Sequence, residues 1–238
     1  MDEDLNERIF KYKDENHTAF IVGYTGETGK ELVKDLGRRQ VFKKVYLLGR
    51  RTVDLGKDVG PEFEQRIIDF EDVEKTSDVF AEADVGFCTL GTTRGKAGKD
   101  GFVKVDKGYT LNVARIAKEN GCKHFSYCSS NGANAKSWFL YMRIKGEVEE
   151  ALKGMNFNRL SIHRPGMLMC DRQESRFGEK VARGIMKPIA ALFPTAGSIP
   201  TSVLARGMIN DVISTVTDDV KTFENRNIHV VAGNVKSE

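Results

Sequence analysis

Cysteine is scarce in this 238-residue chain, and its four copies cannot build a framework. Cys88, Cys122, Cys128 and Cys170 stand far apart with no CxxC pair. That excludes a disulfide scaffold, a zinc ribbon and a thioredoxin-type motif, and leaves free thiols of a reducing cytosol or nucleus as the expectation. Only 5 prolines occur, and no Pro-, Gly- or Ser-rich linker divides the chain. No stretch approaches the ~18 apolar residues of a spanning helix; the longest runs, such as 85–90, have the length of buried strands. The opening MDEDLNERIFKYKDEN is acidic and lacks the apolar region of a secretory signal. Nor is there an excess of one charge. Lys plus Arg number 37 against 34 Asp plus Glu, a net +3 too even to argue for direct nucleic-acid binding or membrane attachment. The histidines show no metal-ligand spacing. A soluble, cytoplasmic protein without a metal is expected.

What is present reads as strands alternating with helices. Residues 18–23 (TAFIVG) form a short apolar run that ends in glycine and leads into the helical spacing of KELVKDLGRR. Further strands are expected at 44–49, 66–70, 84–90, 123–129, 159–163 and 228–231, and helices at 104–120, 138–152 and 201–216. Such alternation implies right-handed crossovers and a parallel sheet. The predicted fold is α/β, a Rossmann-like doubly wound parallel sheet in one domain over 1–238, with a small substrate-side lobe within 166–225. The stripe of Leu5, Ile9, Phe10 and Tyr12 predicts an N-terminal helix packed on its own domain, with partner docking as the alternative.

Directly after the first strand, Gly23-Tyr24-Thr25-Gly26-Glu27-Thr28-Gly29 reads GxxGxxG and opens the first of these helices. Glycines let backbone amides approach a pyrophosphate, and the helix N-terminus supplies positive potential. Thr25 and Thr28 add hydroxyls. A phosphate-binding GxxxxGK[ST] loop fails, because Tyr24 and Glu31 stand where Gly and Ser or Thr are needed. The second strand ends Leu48-Gly49-Arg50-Arg51. NAD-binding folds place a carboxylate there on the ribose 2′-hydroxyl, whereas two guanidinium groups would bind a 2′-phosphate. The expected cofactor is NADPH. Asp69 ends the third predicted strand, placed to approach the adenine, and Leu90-Gly91 end the fourth, where the chain passes under the cofactor. Arg94 and Lys96 follow in a glycine-rich loop, open to either phosphate contact or plain solvation.

Tyr141-Met142-Arg143-Ile144-Lys145 is YxxxK on a predicted helix, so phenol and ammonium share a face. The ammonium favours the phenolate, and such a tyrosine exchanges a proton with a carbonyl oxygen during hydride transfer. The fifth strand ends Cys128-Ser129-Ser130. Its end favours Ser130 as the residue that holds the same oxygen, with Ser129 open as the alternative. Asn112, on the preceding helix, would hold that helix or a relay water.

Taken in order, GxxGxxG, Asp69, Asn112, Ser130, YxxxK and Arg164-Pro165-Gly166 make the whole chain resemble an atypical short-chain dehydrogenase/reductase. More narrowly, 84–98, 141–148 and 170–176 are similar to the Tat-interacting protein 2 oxidoreductases, also described as metastasis suppressors. The resemblance implies an NADPH-binding Rossmann fold with cofactor residues Thr25, Gly26, Glu27, Thr28, Arg50, Arg51, Leu90, Gly91, Tyr141, Lys145, Leu168 and Arg176. It also implies a regulatory role in apoptosis, an importin-β-type partner in nuclear import, residence at the nuclear envelope or nucleus, and a monomer or homodimer. The expected function is NADPH-dependent reduction of a carbonyl-type small molecule, with Tyr141 as acid, Lys145 tuning it and Ser130 positioning the substrate. The alternatives are an NADPH-sensing binding protein with little turnover, and a scaffold on a vestigial fold. His163 reads as a structural histidine and Cys170 as an inert thiol, with a redox switch as the alternative.

Overall fold

The structure is a computed structural model that describes residues 2–56, 59–169, 197–214 and 218–235. An N-terminal helix α1 (Asp2–Asp14) precedes β1 (Thr18–Val22), α2 (Glu27–Arg39), β2 (Lys44–Gly49) and β3 (Phe63–Ile67). After a 3-10 turn come α3 (Asp78–Ala81), β4 (Val85–Cys88) and α4 (Arg94–Val103). A π-helical segment, Lys104–Tyr109, joins α4 to α5 (Thr110–Glu119). Then follow β5 (His124–Cys128), α6 (Leu140–Gly154), β6 (Arg159–Arg164) and β7 (Met167–Met169). The chain closes with β8 (Ser198–Pro200), α7 (Thr201–Val212), β9 (Val220–Glu224) and α8 (Asn225–Val231).

Seven strands pair in the order β3-β2-β1-β4-β5-β6-β9, every pair parallel. The order runs outward in both directions from β1 and β4, so a crevice opens between them at their carboxyl ends. β1 explains the two-sided core. Ala19 and Ile21 face one layer with Leu32, Leu36, Leu204 and Met208, while Phe20 and Val22 face the other with Phe80, Val113 and Phe125. A strand buried on both faces reads as an unbroken apolar run.

The expected doubly wound sheet is therefore present, with local corrections. The strand at 228–231 is instead the helix α8, and the seventh strand is Val220–Glu224. The third strand lies at Phe63–Ile67 rather than 66–70. Arg94 and Lys96 sit in a helix kinked at Gly98 (φ 70°), not in a loop. Within 166–225, α7 packs on α2 and β9 extends the main sheet, while β7 and β8 form a separate parallel pair. Residues 170–196, which carry Cys170 and Arg176, lie outside the described residues. Leu5, Ile9 and Tyr12 pack α1 against the core, and Phe10 points outward.

Candidate nucleotide cleft and active site

The glycine loop is held tightly. Gly23 has φ 84°, and a Cβ there would lie 2.6 Å from the Thr89 carbonyl carbon. A Cβ on Gly29 would lie 2.3 Å from the Gly23 carbonyl oxygen. The Gly26 N–H donates to Gly23 O and the Lys30 N–H to Gly26 O, both at 2.9 Å. Close backbone approach thus fixes the first and third glycines, and α2 starts directly behind the loop.

A cleft of about 750 Å³ opens over the ends of β1, β2 and β4. Of the expected cofactor residues, Gly23, Thr25, Gly26, Arg50, Arg51, Leu90 and Gly91 line it. Glu27, Thr28 and Gly29 lie behind it in the first turn of α2, the last two buried. Arg50 and Arg51 are exposed, and neither pairs with a carboxylate among the described residues. Lys96 reaches the cleft from α4. Asp69 does not line it: it is exposed, and its Oδ1 accepts the Glu71 N–H at 2.9 Å. Phe70, stacked on Tyr109 with centroids 5.2 Å apart, lines the cleft instead.

The YxxxK motif falls on the first two turns of α6. Lys145 is buried, its Nζ 3.0 Å from Asp106 Oδ1 and 3.3 Å from the Tyr127 hydroxyl. Asp106 is 1% exposed, and its Oδ2 accepts the Thr92 N–H at 2.8 Å. One carboxylate therefore ties the chain after β4 to α6. Burial disfavours the Lys145 charge, but the Asp106 carboxylate beside it opposes that, and the ammonium is held well above its ordinary range. Burial also pushes the Tyr127 phenol up, so it keeps its proton and Asp106 is the opposing charge.

Tyr141 is 43% exposed and stacks on Phe102 at 5.7 Å. Its hydroxyl makes no hydrogen bond to Lys145 or Ser130 among the described residues. Ser129 is buried and donates to Glu149, itself engaged by Arg164 with Nη2 to Oε2 at 2.6 Å. Ser130 is half-buried, and among the described residues its Oγ has only a 3.4 Å contact to Asn131 O. Of the two serines, Ser130 is the one not committed to a buried network. Asn112 is half-buried on α5. Leu168 is 40% exposed on β7. His163 is buried against Phe223 with centroids 4.9 Å apart, a structural placement.

Sequence reasoning missed Asp106. Its signal is a lone carboxylate on the buried stripe Phe102, Asp106, Thr110, Val113 and Ala117, where an acid requires a cation.

The profile of the NAD(P)H-binding family matches residues 23–184, from the glycine loop past the YxxxK helix. The chain belongs to the NAD(P)H-binding family. Among relatives of this NAD(P)H-binding chain, Protein HTATIP2 of Rattus norvegicus is 43% identical over 91% of this chain and 90% of that one. This bears out the narrower resemblance. "Protein FMP52, mitochondrial" of Candida albicans is 35% identical over 73% of this chain and 82% of that one. The solved UDP-glucuronic acid 4-epimerase from Bacillus cereus, in complex with NAD, shares the fold with TM-score 0.67 at 10% identity over 87% and 77% of the chains. The expectation of a cytoplasmic protein with a share at the nucleus or nuclear envelope is overturned by the fungal relatives, which are named mitochondrial. Scarce, widely spaced cysteines and an even charge do not choose among compartments. Among the described residues no helix is long and apolar enough to cross a membrane.

Proposed function

We propose that this member of the NAD(P)H-binding family is an NADPH-dependent oxidoreductase that reduces a carbonyl-type substrate. The observation that carries the reading is the exposed Arg50–Arg51 pair, which meets no carboxylate among the described residues, on the wall of a cleft floored by the glycine loop. The fit to a dinucleotide rests on the same geometry: any side chain at Gly23 or Gly29 would collide with backbone. Bound NADPH would supply the hydride. Arg50 and Arg51 would hold the 2′-phosphate, and the amides at the start of α2 the pyrophosphate. Lys145, kept charged by Asp106, would orient the nicotinamide ribose and favour proton release from Tyr141. Tyr141, at the exposed start of α6, would protonate the substrate oxygen, and Ser130 would position it.

A second reading, an NADPH-sensing binding protein, is favoured by one observation: the Tyr141 hydroxyl is not hydrogen-bonded to Lys145 or Ser130. Calorimetric titration with NADPH and NADH, followed by turnover of a carbonyl panel, separates the two. The reductase reading expects NADPH preference, its loss in Arg50→Ala/Arg51→Ala, and a Tyr141→Phe variant that binds NADPH but turns over at least about 100-fold more slowly. Unchanged turnover in Tyr141→Phe sinks the assigned mechanism, and NADPH binding with no turnover of any carbonyl favours the sensor.

A further inference from the structure

Arg50 and Arg51 sit at the start of the irregular connection between β2 and β3, and both are exposed. Long cationic side chains on such a segment recognise a phosphate selectively only if the backbone beneath them is fixed. Tyr24, the second residue of the glycine loop, is 2% exposed. Its hydroxyl lies 2.8 Å from the carbonyl oxygen of Arg51 and 2.9 Å from Oε1 of Gln65, two acceptors for its single proton. Gln65, on β3, takes both backbone groups of Val53: its Oε1 accepts the Val53 N–H at 2.8 Å, and its Nε2 donates to Val53 O at 2.8 Å. Room for the ring comes from Gly49 at the end of β2, where a Cβ would lie 2.8 Å from the Tyr24 ring. The glycine loop, the end of β2 and β3 thus meet on one phenol, and the backbone they pin carries the two guanidinium groups.

We propose that Tyr24 and Gln65 are positioning residues that brace the Arg50–Arg51 segment and set the preference for NADPH over NADH, a role that presupposes the NADPH reading above. Neither residue faces the nucleotide with its own charge. They act through the Arg51 carbonyl and the Val53 peptide groups, holding the segment where the guanidinium groups meet a 2′-phosphate. A brace of this kind has a distinctive signature. The glycine loop serves both nucleotides, so general loosening weakens both alike. Loss of the brace weakens only the one with the 2′-phosphate.

The test is calorimetric titration of the full chain and its Arg51→Ala, Tyr24→Phe and Gln65→Met variants with NADPH and with NADH, alongside melting temperatures. Tyr24→Phe keeps the ring against Gly49 and removes only the hydroxyl. The expected result is an NADPH Kd raised about tenfold in Tyr24→Phe and in Gln65→Met, with the NADH Kd changed less than about twofold. Arg51→Ala shows that the preference comes from the guanidinium group. If Arg51→Ala abolishes the preference while both brace variants keep the wild-type ratio, or weaken both nucleotides in parallel, the brace is overturned and the NADPH reading stands. Equal wild-type affinity for the two nucleotides overturns the NADPH reading, and the brace with it.

Discussion

Lys145 and Asp106 show how one residue choice at the site constrains another 39 positions away. An ammonium that is 4% exposed has lost its water and needs a fixed counter-charge. Asp106 supplies it at 3.0 Å and is itself held by the Thr92 N–H. Removing one partner of a buried pair costs about 3 kcal/mol, because the other stays buried and unpaired. Asp106→Ala is therefore expected to lower stability by about that amount in urea denaturation, and adding Lys145→Met to recover most of it. No recovery in the double variant would mean that Asp106 stabilises through Thr92 rather than through Lys145. In both variants the loss is local to the junction of α6, the π-helical segment and the chain after β4, so the glycine loop itself is not expected to fail.

At the scale of elements, the strand–loop–helix unit β1-α2 was legible because its constraints are local. The apolar run, the spaced glycines and the amphipathic helix are all contiguous. The same locality makes a sharp prediction. Gly29→Ala puts a Cβ 2.3 Å from Gly23 O and 2.5 Å from Tyr24 Cα, both backbone atoms that cannot yield cheaply. It is expected to cost about 1–3 kcal/mol and to abolish nucleotide binding. Gly108→Ala in the π-helical segment, with nothing within 4 Å of the new methyl, is expected to cost neither. Thermal melts and nucleotide titration of the two variants check this directly, and a harmless Gly29→Ala would contradict the close packing. Elements whose shape is set by distant partners were less legible. The edge strand β9 buries little beyond Phe223, so its sequence VKTFE carries little apolar signal. The β-branched run after it looks like a strand but forms α8, because Ile228 packs on Gly207 of α7. Likewise β3 pairs with β2 alone among the described residues, and its Glu64–Arg66 pair masks the alternation. The glycines of α4 read as a loop, yet only Gly98 breaks the helix. Asp106 was missed for a related reason: its meaning depends on Lys145, which local spacing does not reveal.

For the whole molecule, the layer beneath α7 decides how the fold responds to acid. His124 and His163, on β5 and β6, are both buried on the sheet face under this helix, and Asp211 Oδ2 lies 3.9 Å from the Nε2 of each. The His124 ring contacts Ser161 Oγ at 2.9 Å, and Arg159 ties Asp211 Oδ1 at 2.7 Å. Burial lowers His124 to about 3 and His163 to about 4, with Arg159 adding to the effect and the Asp211 carboxylate opposing it. Both rings are thus neutral in the folded protein at neutral pH, whereas in the unfolded chain each titrates near the ordinary value of about 6.5. A depressed folded pKa gives stability that is present above the unfolded pKa and lost as pH falls, because the unfolded chain then takes up protons that the fold refuses. Each ring is expected to withdraw about 2 kcal/mol between roughly pH 7.5 and pH 5. Urea denaturation of the wild type and of His163→Gln at the two pH values isolates one share. The variant, which carries no titrating group at 163, is expected to lose about 2 kcal/mol less than the wild type over that interval. Equal losses would show that His163 is protonated as readily in the fold as outside it, and that the layer under α7 is open to water.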